Sequence, residues 1–142
     1  MHGTIEHPAD MGIFGRGDTL AVSLEEAALA MFELVVDAEG LGTPTERLRV
    51  SCEADDPAEL LLEFLNTLIT AADIADLVFV YVEILSIVEG ESGWRMEADA
   101  SGMRRSAFEG RLLAEVKAAT PCGLHVGRDR NGRWESRCVL DL

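Results

Sequence analysis

Lysine is nearly missing from this chain: Lys117 is the only one, and every other fixed positive side chain is an arginine. Positive charge is scarce as a whole, with 12 Lys and Arg set against 26 Asp and Glu for a formal net charge of −14. A field of that sign repels phosphate backbones, so direct nucleic-acid binding is not expected; cations or a basic protein partner are favoured. For most of the surface carboxylates, solubility is the plainer role. Cysteine is also sparse. Cys52, Cys122 and Cys138 are odd in number, widely spaced and form no Cys-x-x-Cys pair, which fits buried thiols in a reducing compartment better than a disulfide framework. No apolar run approaches the roughly 18 residues needed to cross a bilayer; the longest, Leu77 to Leu85, is interrupted by Glu83. The opening Met1-His2-Gly3-Thr4 lacks the basic and apolar regions of a signal peptide, and a cytoplasmic location is expected. There is no internal repeat, no low-complexity tract, no phosphate-binding glycine loop and no assignable serine–histidine–acid set.

What is present is an ordinary globular composition. The 142 residues are 48% hydrophobic and 27% charged, enough for one domain, 1–142, with a substantial core. Thr4 to Gly17 reads as two short strands around a turn at Pro8 to Asp10. Ser23-Leu24-Glu25-Glu26 reads as a capping box with Ser23 as N-cap. Leu24, Ala27, Ala28, Met31, Phe32 and Val35 follow at helical spacing, and Gly40 and Gly42 are expected to end that helix. Arg47 to Glu53 alternates like a strand. Asp56 caps a second helix, with Pro57 in its first turn, Glu59 near the positive dipole end, and a stripe of Leu61, Phe64, Leu65, Leu68 and Ile69.

Leu77 to Val88 is β-branched and aromatic, as in a central strand, with a hairpin partner over Trp94 to Ala100. Ser101 to Glu109 reads as a surface loop. Leu112 to Thr120 and Leu124 to Gly127 read as strands broken near Pro121 and Gly123. Asp129-Arg130-Asn131-Gly132 is a hairpin turn, in which Asn-Gly is expected to supply the positive φ angles that tight turns need, and Trp134 to Leu142 the last strand. Helices grouped with hairpin-linked strands predict an α+β fold: a two-layer domain, mostly antiparallel sheet, with two helices on one face.

The segment with most chemistry is Glu6-His7-Pro8-Ala9-Asp10-Met11-Gly12. It crowds ionisable side chains onto a turn, and it is echoed by Asp141-Leu142 at the other end. If the last strand pairs near the first, Asp141 approaches Asp10, and the terminal carboxylate of Leu142 adds a third oxygen donor. Carboxylates gathered at one point repel unless a cation neutralises them, so a divalent site with oxygen ligands follows. The plainer roles are a turn aspartate bonding its own backbone at Asp10 and a solvated terminus at Asp141. Cys122-Gly123-Leu124-His125 offers only two zinc donors, far short of a tetrahedral set.

Five motifs in order resemble the archease family, over nearly the whole chain. Glu6 to Gly12 is similar to its Glu-His-Thr-Ala-Asp-x-Gly motif. Leu24-Glu25-Glu26-Ala27 through Ala30-Met31-Phe32 is similar to its first helix, and Leu61-Leu62-Glu63-Phe64-Leu65-Asn66 to its Leu-Leu-x-Trp-Leu-Asn helix. Glu115-Val116-Lys117-Ala118-Ala119-Thr120 resembles its Glu-Val-Lys-Ala-x-Thr strand, and Val139-Leu140-Asp141-Leu142 its aspartate-containing terminus. The resemblance implies a protein cofactor, not an enzyme. Archeases activate the GTP-dependent RNA ligase that joins 3′-phosphate ends in tRNA splicing and RNA repair, promoting guanylylation of its active-site histidine and its turnover.

It also implies that Asp10, Asp141 and a main-chain oxygen of Leu142 hold a divalent cation such as Ca²⁺, Mg²⁺ or Mn²⁺. His7 is then expected to orient Asp10. Lys117 is expected to face the acidic cluster or the ligase's phosphate-bearing centre, its plainer role being an exposed strand lysine. Glu6 is a candidate partner contact or simply a solvated strand residue. The chain departs from the pattern where Pro8 replaces the motif threonine, where Pro121-Cys122 replaces Tyr-His, and in a longer segment from Glu91 to Arg111. Two other readings of the sequence are a general chaperone or protein-interaction module and a metal-dependent hydrolase, the latter lacking an identifiable general base.

Overall fold

A computed structural model describes residues 1–6 and 10–142, apart from the Glu6 side chain. The expected turn therefore lies, save for Asp10, outside the described residues, as do His7 and Pro8. Among the described residues the order is β1 (His2–Glu6), β2 (Met11–Gly17), α1 (Leu20–Val35), β3 (Glu46–Ala54), α2 (Pro57–Ala75), β4 (Leu77–Gly90), β5 (Gly93–Arg104), a 3-10 turn (Arg105–Phe108), β6 (Ala118–Arg128) and β7 (Trp134–Asp141). The fold is α+β, as expected, and every strand pairing among the described residues is antiparallel, with the strands shared between two sheets. One has the order β1-β2-β7-β6 and the other β3-β5-β4. Each turns one face to the helices: α1 packs on β2, β7 and β4, and α2 on β6, β3, β4 and β5. Fully buried Leu24, Leu60, Leu61, Phe64, Leu65 and Leu140 fill the space between, each burial stabilising by about 1.5–3 kcal/mol.

The helix α2 follows its sequence signals. Asp56 accepts a hydrogen bond from the Glu59 amide at 2.8 Å, and Pro57 stands in the first turn. Helix α1 does not. Its N-cap is Thr19, whose hydroxyl accepts from the Val22 amide at 3.1 Å, so Ser23 lies one turn inside. Ser23 instead donates to the Leu20 carbonyl at 2.8 Å and meets the Ser136 hydroxyl at 2.9 Å, both serines being fully buried. The approach is close because Gly15 of β2 has no side chain there; a Cβ would come within 2.3 Å of the Ser23 carbonyl. Nor do Gly40 and Gly42 end the helix. It stops at Val35, because Val36 turns extended and forms a β-bridge with Leu112.

The strand from Leu77 is an edge strand, not a central one; β5 lies in the middle. Its unbroken apolar start has another cause. Phe79 faces the main core while Val78 packs with Val36 and the fully buried Phe108 in a second cluster. That anchor also explains why 101–109 is not a surface loop: β5 runs on to Arg104, and the 3-10 turn carries Phe108 inward. At the open edge β4 is bulged between Phe79 and Tyr81 and again between Ile84 and Ser86. The Glu25 carboxylate of α1 accepts from the Ile84 amide at 2.7 Å, covering an edge amide that would otherwise be free to pair with another chain.

Leu112 to Lys117 is not a strand beyond its one bridge, since Val36 offers a single extended residue to pair with; β6 begins at Ala118. The interruption near Pro121 and Gly123 is a register shift between Thr120 and His125 within one strand, with Gly123 at φ +63°. At the Asp129–Gly132 turn only Gly132 takes a positive φ, of +78°. The Gly132 amide donates to the Asp129 carbonyl, and the Asp129 amide to Arg133. This is a type I turn closed by a left-handed glycine, not the turn with two positive φ angles expected from Asn-Gly. Among the described residues no helix is long and apolar enough to cross a membrane.

Candidate functional site at the open end of the four-stranded sheet

The two ends of the sequence do meet. Strands β2 and β7 pair Met11 with Leu140, Gly12 with Val139 and Ile13 with Cys138. Continued one step outward, that register sets Asp10 opposite Asp141. Asp10 lies in a bend just past the last pair and is half-buried, whereas Asp141 and Leu142 are exposed. On the other side of β7, Ala118 of β6 pairs with Asp141, and the Lys117 amide donates to the Asp141 carbonyl at 2.8 Å. Asp10, Asp141, Leu142 and Lys117 thus come to one end of one sheet.

Lys117 points to solvent while its neighbour Val116 is buried at 8% exposure. The alternation is as expected, although this stretch precedes the strand. What fixes it is Asn66 of α2. Its Nδ2 donates to the Ala119 carbonyl at 3.1 Å, and its Oδ1 accepts from the Ala119 amide at 2.9 Å. A side-chain amide satisfying both backbone groups of one residue replaces a missing strand partner at this edge. One residue further along β6, the Thr120 hydroxyl donates to the Val139 carbonyl at 3.0 Å. Asn66 was visible in the sequence only as the last letter of a helical motif. Its signal was an amide placed on the flank of an otherwise apolar stripe.

The donors at this end are all oxygens: two carboxylates and the main chain of Leu142. That set suits a hard cation and leaves open positions for water or a partner's oxygens. Among the described residues no three His, Cys, Asp or Glu side chains gather closely enough to form a closed metal cage. Cys122 and His125 lie exposed around the β6 irregularity. Cys138 is buried and Cys52 partly so, and burial pushes each thiol up to about 11. These two are inert thiols, as expected; the exposed Cys122 departs from that picture.

A second polar constellation escaped the sequence reading. Glu135, only 9% exposed, sits between Arg16 and Arg137, each of which donates through Nε at 2.6 Å. It lies toward the opposite end of β7, across the ladder from Arg16, and braces the sheet far from Asp141. Glu135 and Arg137 are i, i+2 neighbours on one strand face, a local signal the sequence did carry, but Arg16 joins them only through strand register.

Comparison of the whole chain with known proteins gives its family. Residues 2–142 match the model of the Archease protein family (MTH1598/TM1083). Protein archease of Thermococcus gammatolerans is 35% identical over 137 residues, covering 96% of this chain and 95% of that one. Protein archease of Methanosarcina mazei is 30% identical, covering 97% and 93%. The solution structure of Methanobacterium thermoautotrophicum protein 1598 superposes with a TM-score of 0.82 at 27% identity, covering 99% of this chain and 98% of that one. The chain belongs to the archease family.

Proposed function

We propose that this protein is an accessory factor that activates a GTP-dependent RNA ligase acting on 3′-phosphate ends, in tRNA splicing or RNA repair. In this reading it promotes guanylylation of the ligase's active-site histidine and keeps the ligase turning over, with no reaction of its own. The observation that carries it is the strand register that brings Asp10 opposite Asp141, with Lys117 just before the adjoining strand and bonded through its amide to Asp141.

Asp10, Asp141 and a main-chain oxygen of Leu142 would hold a divalent cation (Ca²⁺, Mg²⁺ or Mn²⁺). Such an ion, when bound, neutralises charge on a transferring phosphoryl group. The chain's own residues provide the rest. The two carboxylates present oxygens at a solvent-facing tip, where they can reach into a partner's cleft. The Asn66 clamp on Ala119 keeps Lys117 at the same tip, its ammonium free to meet a phosphate of GTP or of the guanylylated partner. The partner is a protein, and the acidic surface keeps the RNA itself away from this chain.

The test is guanylylation of the ligase with catalytic amounts of this protein. Folded Asp10→Ala and Asp141→Ala variants should lose most of the stimulation. Undiminished stimulation by both would sink the proposed role of the tip.

A further inference from the structure

Away from the sheet end, α1 finishes beside a groove of about 420 Å³. Its apolar lining includes Phe32, Val36, Val80 and Leu113, and its rim includes Glu33, Asp37 and Glu39. Leu113 is 63% exposed, although its amide is fixed to the Val35 carbonyl at 2.8 Å. Val80 is the residue skipped by the first bulge of β4, so its backbone stands at an open edge.

The electrostatics are one-sided. A helix C-terminus carries the negative end of the macrodipole and is ordinarily met by Lys, Arg or His. This one has no basic residue in its last turn and is followed by two further carboxylates. Two cations reach this rim, yet neither pairs with the Asp37 or the Glu39 carboxylate. Arg111 donates through Nη1 to the Glu39 carbonyl at 2.6 Å, and His2 holds Glu33 at 3.0 Å on the side facing β1.

We propose that this groove docks a basic, amphipathic segment of a partner protein: a large apolar side chain on the floor, with arginine or lysine on either side completing the acidic rim and the helix end. The charge complementarity selects that occupant. A second copy of a chain carrying −14 would bring like charge to like, and RNA would be repelled. The inference is independent of the ligase role, since the groove shares none of Asp10, Lys117, Asp141 or Leu142.

The probe is a labelled peptide of leucine-tryptophan-leucine flanked on each side by two arginines, followed by fluorescence anisotropy and by amide shifts of the protein. Binding should move resonances around 32–39, 80 and 113. Glu39→Lys and Leu113→Asp, both changes at exposed positions, should each weaken it about tenfold, the first by reversing a rim charge and the second by setting a carboxylate on the apolar contact. Asp141→Asn should leave it unchanged, and a glutamate-flanked peptide of the same core should not bind. Equal binding of the two peptides, or shifts confined to the Asp141 end, would overturn the proposal. So would dimers in sedimentation that Leu113→Asp disperses, since these would give the groove to a second copy.

Discussion

Asn66 holds Ala119 by both of its backbone groups, at 3.1 and 2.9 Å, and so joins α2 to the strand that begins one residue after Lys117. Asn66→Ala leaves a half-buried N–H and C=O without partners. The expected cost is about 1–3 kcal/mol in urea unfolding, with faster amide exchange at Ala119 than at Val126 farther along β6. Because the clamp also positions Lys117, ligase stimulation should fall even at temperatures where the variant is fully folded. Stimulation that tracks only the folded fraction would reduce Asn66 to a stability residue.

Glu135 gives a second expectation, with a definite pH sign. Burial works to raise its carboxyl, but the hydrogen bonds from Arg16 and Arg137 outweigh it, and the net shift is downward from 4.5. A lowered folded-state value means the contribution is present above about pH 4.5 and disappears as pH falls through the lower folded value. Glu135→Gln should therefore cost about 2 kcal/mol at neutral pH and progressively less in acid. Most of the loss belongs to Arg16, at 30% exposure, because Arg137 at 44% is more screened by solvent. Urea midpoints of parent and variant between pH 7 and pH 3 should converge.

His2 carries the opposite sign. Its Nδ1 meets the Glu26 carboxylate and its Nε2 the Glu33 carboxylate at 3.0 Å, tying β1 to α1. Burial opposes the charged ring, but the bonds to Glu26 and Glu33 prevail and raise it above 6.5. Its contribution is then complete below about pH 6.5 and is lost as pH rises through the higher folded value. Amide exchange in β1 should quicken between pH 6 and pH 8 after correction for intrinsic rates. His2→Gln should remove that extra dependence.

The ease of reading differed between elements for physical reasons. Helix α2 was legible because Asp56, Pro57 and its leucines act locally. Helix α1 was misplaced at its start because two hydroxyls compete for the cap: Thr19 has the extended backbone, while Ser23 is drawn to Ser136, 113 residues away in sequence. The strand from Leu77 looked central because its first residues are buried on both sides, yet on one side Val78 is covered by Phe108 and Val36. Asp10 and Asp141 were found from their positions at the two ends, and register then placed them opposite one another. The Ala119 clamp and the Arg16 half of the Glu135 pair were invisible for the converse reason, since their partners lie 53 and 119 residues away in sequence.

The carboxylates at the sheet end can be tested without any ligase. With no divalent ion present, Asp10 and Asp141 are neighbours of like charge, so Asp141→Asn should leave stability unchanged or raise it slightly. Adding Ca²⁺, Mg²⁺ or Mn²⁺ should stabilise the parent in proportion to the logarithm of ion concentration above its dissociation constant, about 2.7 kcal/mol at a hundredfold excess. Asp10→Asn and Asp141→Asn should each lose most of that gain while keeping the fold. A gain that survives in both variants would place the ion elsewhere on this acidic surface. A gain abolished by 150 mM NaCl would mark diffuse counterion screening instead of a site built from Asp10, Asp141 and Leu142.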